Sequence, residues 1–139
     1  MKKVTALFFA TVMAANAFAE MPALTPAPAD AKAYIISPVN GATVSQTFTV
    51  KFGLKNMEVA PAGTMKENSG HHHLLIDMDK LPAMDQPMGQ DVKHFGKGQT
   101  ETEVTLPPGK HTLQLILGDY AHRPHNPPVV SEKIEITVK

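Results

Sequence analysis

Seven histidines and no cysteine set the chemistry open to this sequence. Imidazole can hold a metal ion through a neutral ring nitrogen, pass a proton near neutral pH, or only hydrogen-bond. Three of the seven stand together in Gly70-His71-His72-His73-Leu74-Leu75-Ile76-Asp77, which runs straight into strand-forming residues. Side chains alternate between faces along a strand. His71 and His73 therefore share one face with Leu75, and His72 shares the other with Leu74, Ile76 and Met78. Residues i and i+2 on one face lie ~6.5–7 Å apart, close enough for two imidazoles to lean onto one ion. His72 is left for the edge of the core.

A second cluster reads Gly118-Asp119-Tyr120-Ala121-His122-Arg123-Pro124-His125-Asn126-Pro127-Pro128. Its prolines stiffen the loop, so His122 and His125 can project from one turn. Asp119 can ligate, or orient an imidazole from behind. The expected metal ligands are His71, His73, His122 and His125. Lesser candidates are Asp119, His94 before Phe95-Gly96, and His111 after Pro107-Pro108-Gly109. Imidazole without thiolate suits copper, zinc or nickel, and loop methionines such as Met57, Met65, Met84 and Met88 add thioethers that favour Cu(I). The expected cofactor is a copper or zinc ion, copper first. Free imidazole titrates near pH ~6.5, so binding through these rings should weaken in mild acid.

The same residues admit two other readings: a structural histidine network in a non-metal interaction module, and a zinc-dependent hydrolase with three histidines and an open position. The hydrolase lacks a general base other than Asp119. Ser69 sits in no strained nucleophile turn, and Gly96-Lys97-Gly98 has no helix after it to cradle phosphate. The sequence predicts no enzyme.

The positioning elements are strands. Phe48, Val50, Phe52 and Leu54 alternate with Thr47, Thr49, Lys51 and Gly53. Leu113, Leu115 and Leu117 alternate likewise, as do Ile134, Ile136 and Val138. Weaker strands fall at 33–37, 72–78 and 101–106, and no stretch has a helical period with caps. Pro-Val-Asn-Gly at 38–41 and Pro-Pro-Gly at 107–109 supply turns. The pattern predicts an all-β, immunoglobulin-like β-sandwich of about seven strands, a single domain over residues 33–139. Two loops, residues 56–70 and 79–99, are longer than connection requires, as functional loops often are. Residues 20–32, rich in proline and alanine, read as a tether.

Residues 1–19 read as a secretory leader, with Lys2-Lys3, an apolar run and Ala17-Phe18-Ala19 for cleavage. Losing the two lysines turns an even balance of 13 basic and 13 acidic residues slightly acidic, which excludes a basic nucleic-acid binder. No later apolar run is long enough to span a bilayer, and without cysteine there is no lipid anchor. The expectation is a periplasmic carrier, buffer or chaperone of metal, with the ion and an envelope protein as partners.

The stretches Phe52-Gly53-Leu54-Lys55-Asn56-Met57, Gly70 to Asp77, His94-Phe95-Gly96-Lys97-Gly98, Leu106-Pro107-Pro108-Gly109 and Leu117-Gly118-Asp119 resemble the bacterial family catalogued as domain of unknown function 4399. The resemblance runs from about Ser37 to Lys139. It implies the extent of the domain and the importance of the histidine segments, and it carries no activity. The opening Ser37-Pro38-Val39-Asn40-Gly41-Ala42 also looks like the first strand and turn of bacterial immunoglobulin-like modules, copper-resistance ones among them.

Overall fold

Alternation of apolar and polar residues builds two facing sheets. The computed structural model describes residues 3–7, 10–11 and 22–139; most of the leader expected over residues 1–19 lies outside them. Strands are numbered in chain order. In the smaller sheet, β3 (Thr47–Lys55) is flanked by β1 (Lys32–Ser37) and β7 (Glu101–Thr105). In the larger, the order is β2 (Thr43–Val44), β9 (Ile134–Val138), β8 (Gly109–Gly118), β5 (Ser69–Ile76) and β4 (Glu58–Val59), and β6 (Lys93–His94) also pairs with β5. The molecule is an all-β sandwich. The expected six or seven strands correspond to the six elements of five or more residues; β2, β4 and β6 are two-residue pairings too short to register in the sequence pattern. No helix in the described residues is long and apolar enough to cross a membrane.

Between the sheets lies the main core. Val50 and Phe52 of β3 and Val104 of β7 meet Leu74 of β5, Leu113, Leu115 and Leu117 of β8, and Ile136 of β9. Burying such side chains is worth roughly 1.5–3 kcal/mol each and is the main drive to fold.

The larger sheet is covered on its outer face as well. Along β5, Ser69 to Leu75 are all buried, so both faces of this strand are shut away from water. The long loop before β7 folds back over that outer face. Its Met88 and Val92 pack with Leu75 and Ile116 in a second, smaller core, with Met78 and Met84 at the margin. Met78 was expected on the main-core side with Leu74. It lies on the other side because β5 ends at Ile76 and Asp77 takes a left-handed φ of 54°, breaking the alternation.

The proline-alanine stretch, expected as a tether, lies against the domain where it is described. Ala27 and Ala31 pack on the main core, and the Ala27 N–H donates to the Asn126 carbonyl at 3.1 Å. Composition shows little to bury there, and the attachment is largely backbone hydrogen bonding, which composition does not report.

Candidate metal centre

Strand parity puts His71 and His73 on the outer face of β5, their ring centroids 4.5 Å apart. His94 belongs to β6 and stands directly opposite His73 in antiparallel register. Directly opposed residues are the closest side-chain neighbours in a sheet, and these two rings lie 4.6 Å apart. His122 reaches in from the loop after β8. Its Nδ1 lies 2.9 Å from His71 Nε2, 3.1 Å from His94 Nδ1 and 3.4 Å from His73 Nε2. Four rings from three segments thus converge under the loops.

One ring nitrogen cannot satisfy three others. It either donates a single hydrogen or offers a single lone pair. His94 Nε2 lies 2.8 Å from the Gly89 carbonyl; a carbonyl only accepts, so this nitrogen carries the hydrogen and Nδ1 presents a bare lone pair to His122. Only one of the three contacts to His122 Nδ1 can then be an ordinary hydrogen bond, and the others bring unshared nitrogens face to face. A cation resolves this. Nitrogens at ~2.0–2.1 Å from one tetrahedral ion would stand roughly 3.3 Å apart, close to the 2.9–3.4 Å between His122 Nδ1 and its three neighbours. His71, His73 and His122 each offer a ring nitrogen within 4.8 Å of the others and could hold a metal ion.

Burial also favours the neutral form of three of these rings. Burial pushes the His71 pKa down to about 4, helped by repulsion from His122 and His94 and opposed by Asp119. Burial drives His73 to about 2, with repulsion from His71, His94 and His122 adding to it. His122 is lowered by desolvation first and by His94 second. Out of water, His71 and His73 present bare lone pairs below the range of free imidazole, so the weakening expected in mild acid moves to lower pH at these two rings.

Two local features make the convergence possible. Gly118 faces His71 across the β5–β8 pairing, and a Cβ there would lie 2.4 Å from His73 Cε1 and 3.0 Å from Met88 Cε. Only glycine leaves room for the ring. Beyond it, Asp119 shapes the turn that carries His122. Its Oδ1 accepts the N–H groups of Ala121 and Arg123 at 2.9 and 3.0 Å, and its carbonyl accepts the His122 N–H at 2.9 Å. His122 is held at a left-handed φ of 63°, uncommon for a residue with a side chain.

Other expected site residues lie elsewhere. His125, placed among the four main ligands by sequence, is not in the cluster. After the turn the chain passes through a bridge between Gly118 and Pro124, which carries His125 to the start of β5. There its buried Nε2 donates to the Ser69 carbonyl at 3.0 Å. His111 is engaged with Asp77 at 2.6 Å and the Pro107 carbonyl at 2.8 Å; the Asp77 hydrogen bond raises its pKa. Asp119 makes no hydrogen bond to an imidazole and acts on the backbone instead. His94, a lesser candidate by sequence, stands in the cluster. His72 faces inward as parity predicts, its ring centroid 5.2 Å from that of Phe52, with both nitrogens lacking a hydrogen-bond partner.

The family model described as domain of unknown function (DUF4399) matches residues 50–139, and the chain belongs to that family. All seven histidines lie inside the matched span. No curated protein and no solved structure matches the chain.

Proposed function

We propose that this member of the family is a periplasmic metal-binding protein. Its imidazole cluster takes copper first and zinc second, and it carries, buffers or hands over the ion. The observation behind the reading is the overfilled nitrogen of His122, which three further ring nitrogens approach at 2.9–3.4 Å. A structural histidine network would pair donors with acceptors, and at His122 Nδ1 at most one of the three contacts can be paired in that way.

All-nitrogen ligation without thiolate or carboxylate suits borderline divalent ions, and among these Cu(II) binds such sites most tightly. Among the described residues no carboxylate hydrogen-bonds to the cluster, which favours binding over hydrolysis. The leader pattern of residues 1–19 supports export.

Calorimetric titration with Cu(II) and Zn(II) tests the assignment. Replacing both His71 and His73 with alanine should abolish tight binding while circular dichroism still reports the sandwich. Unchanged affinity in that double variant would reject the ligand set. Metal analysis of untagged protein from the periplasmic fraction tests location and cargo together.

A further inference from the structure

The turn that presents His122 is tied down by a segment remote in sequence. Residues 22–27 cross the loop after β8 in extended form. The Arg123 guanidinium, 5% exposed, donates through Nη1 to the Pro22 carbonyl at 2.8 Å and through Nη2 to the Ala23 carbonyl at 3.1 Å. The Thr25 hydroxyl donates to Asp119 Oδ2 at 2.8 Å. Asn126 N–H donates to the Thr25 carbonyl at 3.0 Å, and Ala27 N–H returns a bond to the Asn126 carbonyl at 3.1 Å. A groove of about 530 Å³ opens between this segment and residues 64–69.

Asp119 connects the segment to the site. It is 1% exposed, and a buried carboxylate must have its lone pairs satisfied. Oδ2 takes the Thr25 hydroxyl and faces the Arg123 Nε at 3.7 Å, while Oδ1 takes the two N–H groups that close the turn around His122. Without the Thr25 hydroxyl, Oδ2 keeps only the longer contact to Arg123 Nε, and a buried carboxylate oxygen short of partners holds its turn less firmly. His71, His73 and His94 are fixed by strand pairing, whereas His122 sits at a left-handed φ and depends on this turn.

We propose that residues 22–27 form a strap that holds His122 at the imidazole cluster, with Thr25 and Arg123 as positioning residues. The role in metal affinity rests on the metal-binding reading above; the hold on the turn does not.

The test uses the full chain with Thr25→Val, Thr25→Ser and Arg123→Met. In metal-free protein, amide hydrogen exchange at Ala121, His122 and Arg123 should accelerate about tenfold or more in Thr25→Val, because the bonds protecting them open more often. Amides of Leu115 to Leu117 should be unchanged and serve as the check on folding. Zn(II) affinity, measured by chelator competition, should fall ~10–100-fold, the usual effect of losing a partner that orients a ligand. Thr25→Ser keeps the hydroxyl and should restore both readouts; Arg123→Met should reproduce both losses. Unchanged exchange at residues 121–123 overturns the strap, whether or not metal binds. Faster exchange with undiminished Zn(II) affinity overturns its role at the site. Wild-type protein that binds no Zn(II) or Cu(II) refutes the metal reading, and the exchange arm then decides the strap alone.

Discussion

Replacing His72 with leucine should stabilise the protein, and more so in acid. The ring is fully buried against Phe52 with neither nitrogen hydrogen-bonded, and an unsatisfied buried polar group costs about 1–3 kcal/mol. Leucine has similar volume and no polar atoms, so repacking takes back less than about 1.5 kcal/mol. The net gain near pH 7 should be on the order of 1 kcal/mol. Acid adds a second contribution. Burial pushes the His72 pKa down to about 4 from its ordinary 6.5. The unfolded chain therefore takes up a proton before the folded one does, and stability falls as pH drops from about 6.5 towards about 4. Above that window this histidine contributes no pH dependence. Proton linkage makes the loss roughly 2 kcal/mol by pH 5 and about 3 kcal/mol by pH 4.

Leucine does not titrate, so the variant escapes this share of the acid loss, while His71 and His73 act equally in both proteins. Urea unfolding with chelator present, at about pH 7, 6 and 5, should show the two stabilities diverging by roughly 2 kcal/mol across the series. Metal affinity should not change, because the ring faces away from the cluster. Parallel losses in the two proteins would refute burial as the cause, since His72 would then be as free to protonate when folded as when unfolded.

Gly118→Ala should lower metal affinity at least tenfold by calorimetry and destabilise by roughly 1–3 kcal/mol, because its Cβ would stand 2.4 Å from the His73 ring; retained affinity would mean that the ring swings aside freely. His122→Ala should lower affinity about a hundredfold or more, whereas His125→Ala should leave it within about twofold, since His125 bonds to Ser69 and not to the cluster. The rise in melting temperature with Cu(II) or Zn(II) should be lost by the time pH falls through about 4, where His71 protonates. The neutral ligand form exists above the folded pKa, about 4 for His71, and is lost as pH falls through it. A midpoint near pH 6.5 in that thermal-shift series would show rings as wet as free histidine.

Local parity was legible in the sequence, and partner choice was not. The alternations around Val50, Leu115 and Ile136 led directly to β3, β8 and β9, and the same rule put His71 and His73 on one face with His72 on the other. That inference needs only the neighbours in the chain. His94 depended on a two-residue pairing inside a long loop, which brings it opposite His73 and leaves no periodic trace. His125 looked equivalent to His122 because both flank Arg123-Pro124. They part company through the turn at Asp119 and the Gly118–Pro124 bridge, neither of which composition encodes.

This division between local and distant ligands bears on how metal stabilises the fold. His71-His72-His73 are adjacent in the chain, so the unfolded protein keeps a short imidazole run able to bind an ion weakly. His94 and His122 join only once β6 has paired with β5 and the Asp119 turn has closed. Stabilisation by a ligand reflects its preference for the native over the unfolded chain, so the rise in melting temperature measures how far His94 and His122, joined to His71 and His73, outbind the local run in the unfolded chain. Removing His122 should therefore shrink that rise more than its share of four nitrogens. Removing His71 takes a ligand from both states and should shrink it less for an equal loss of native affinity. The ranking follows from where the ligands lie in the chain and does not depend on which ion occupies the centre.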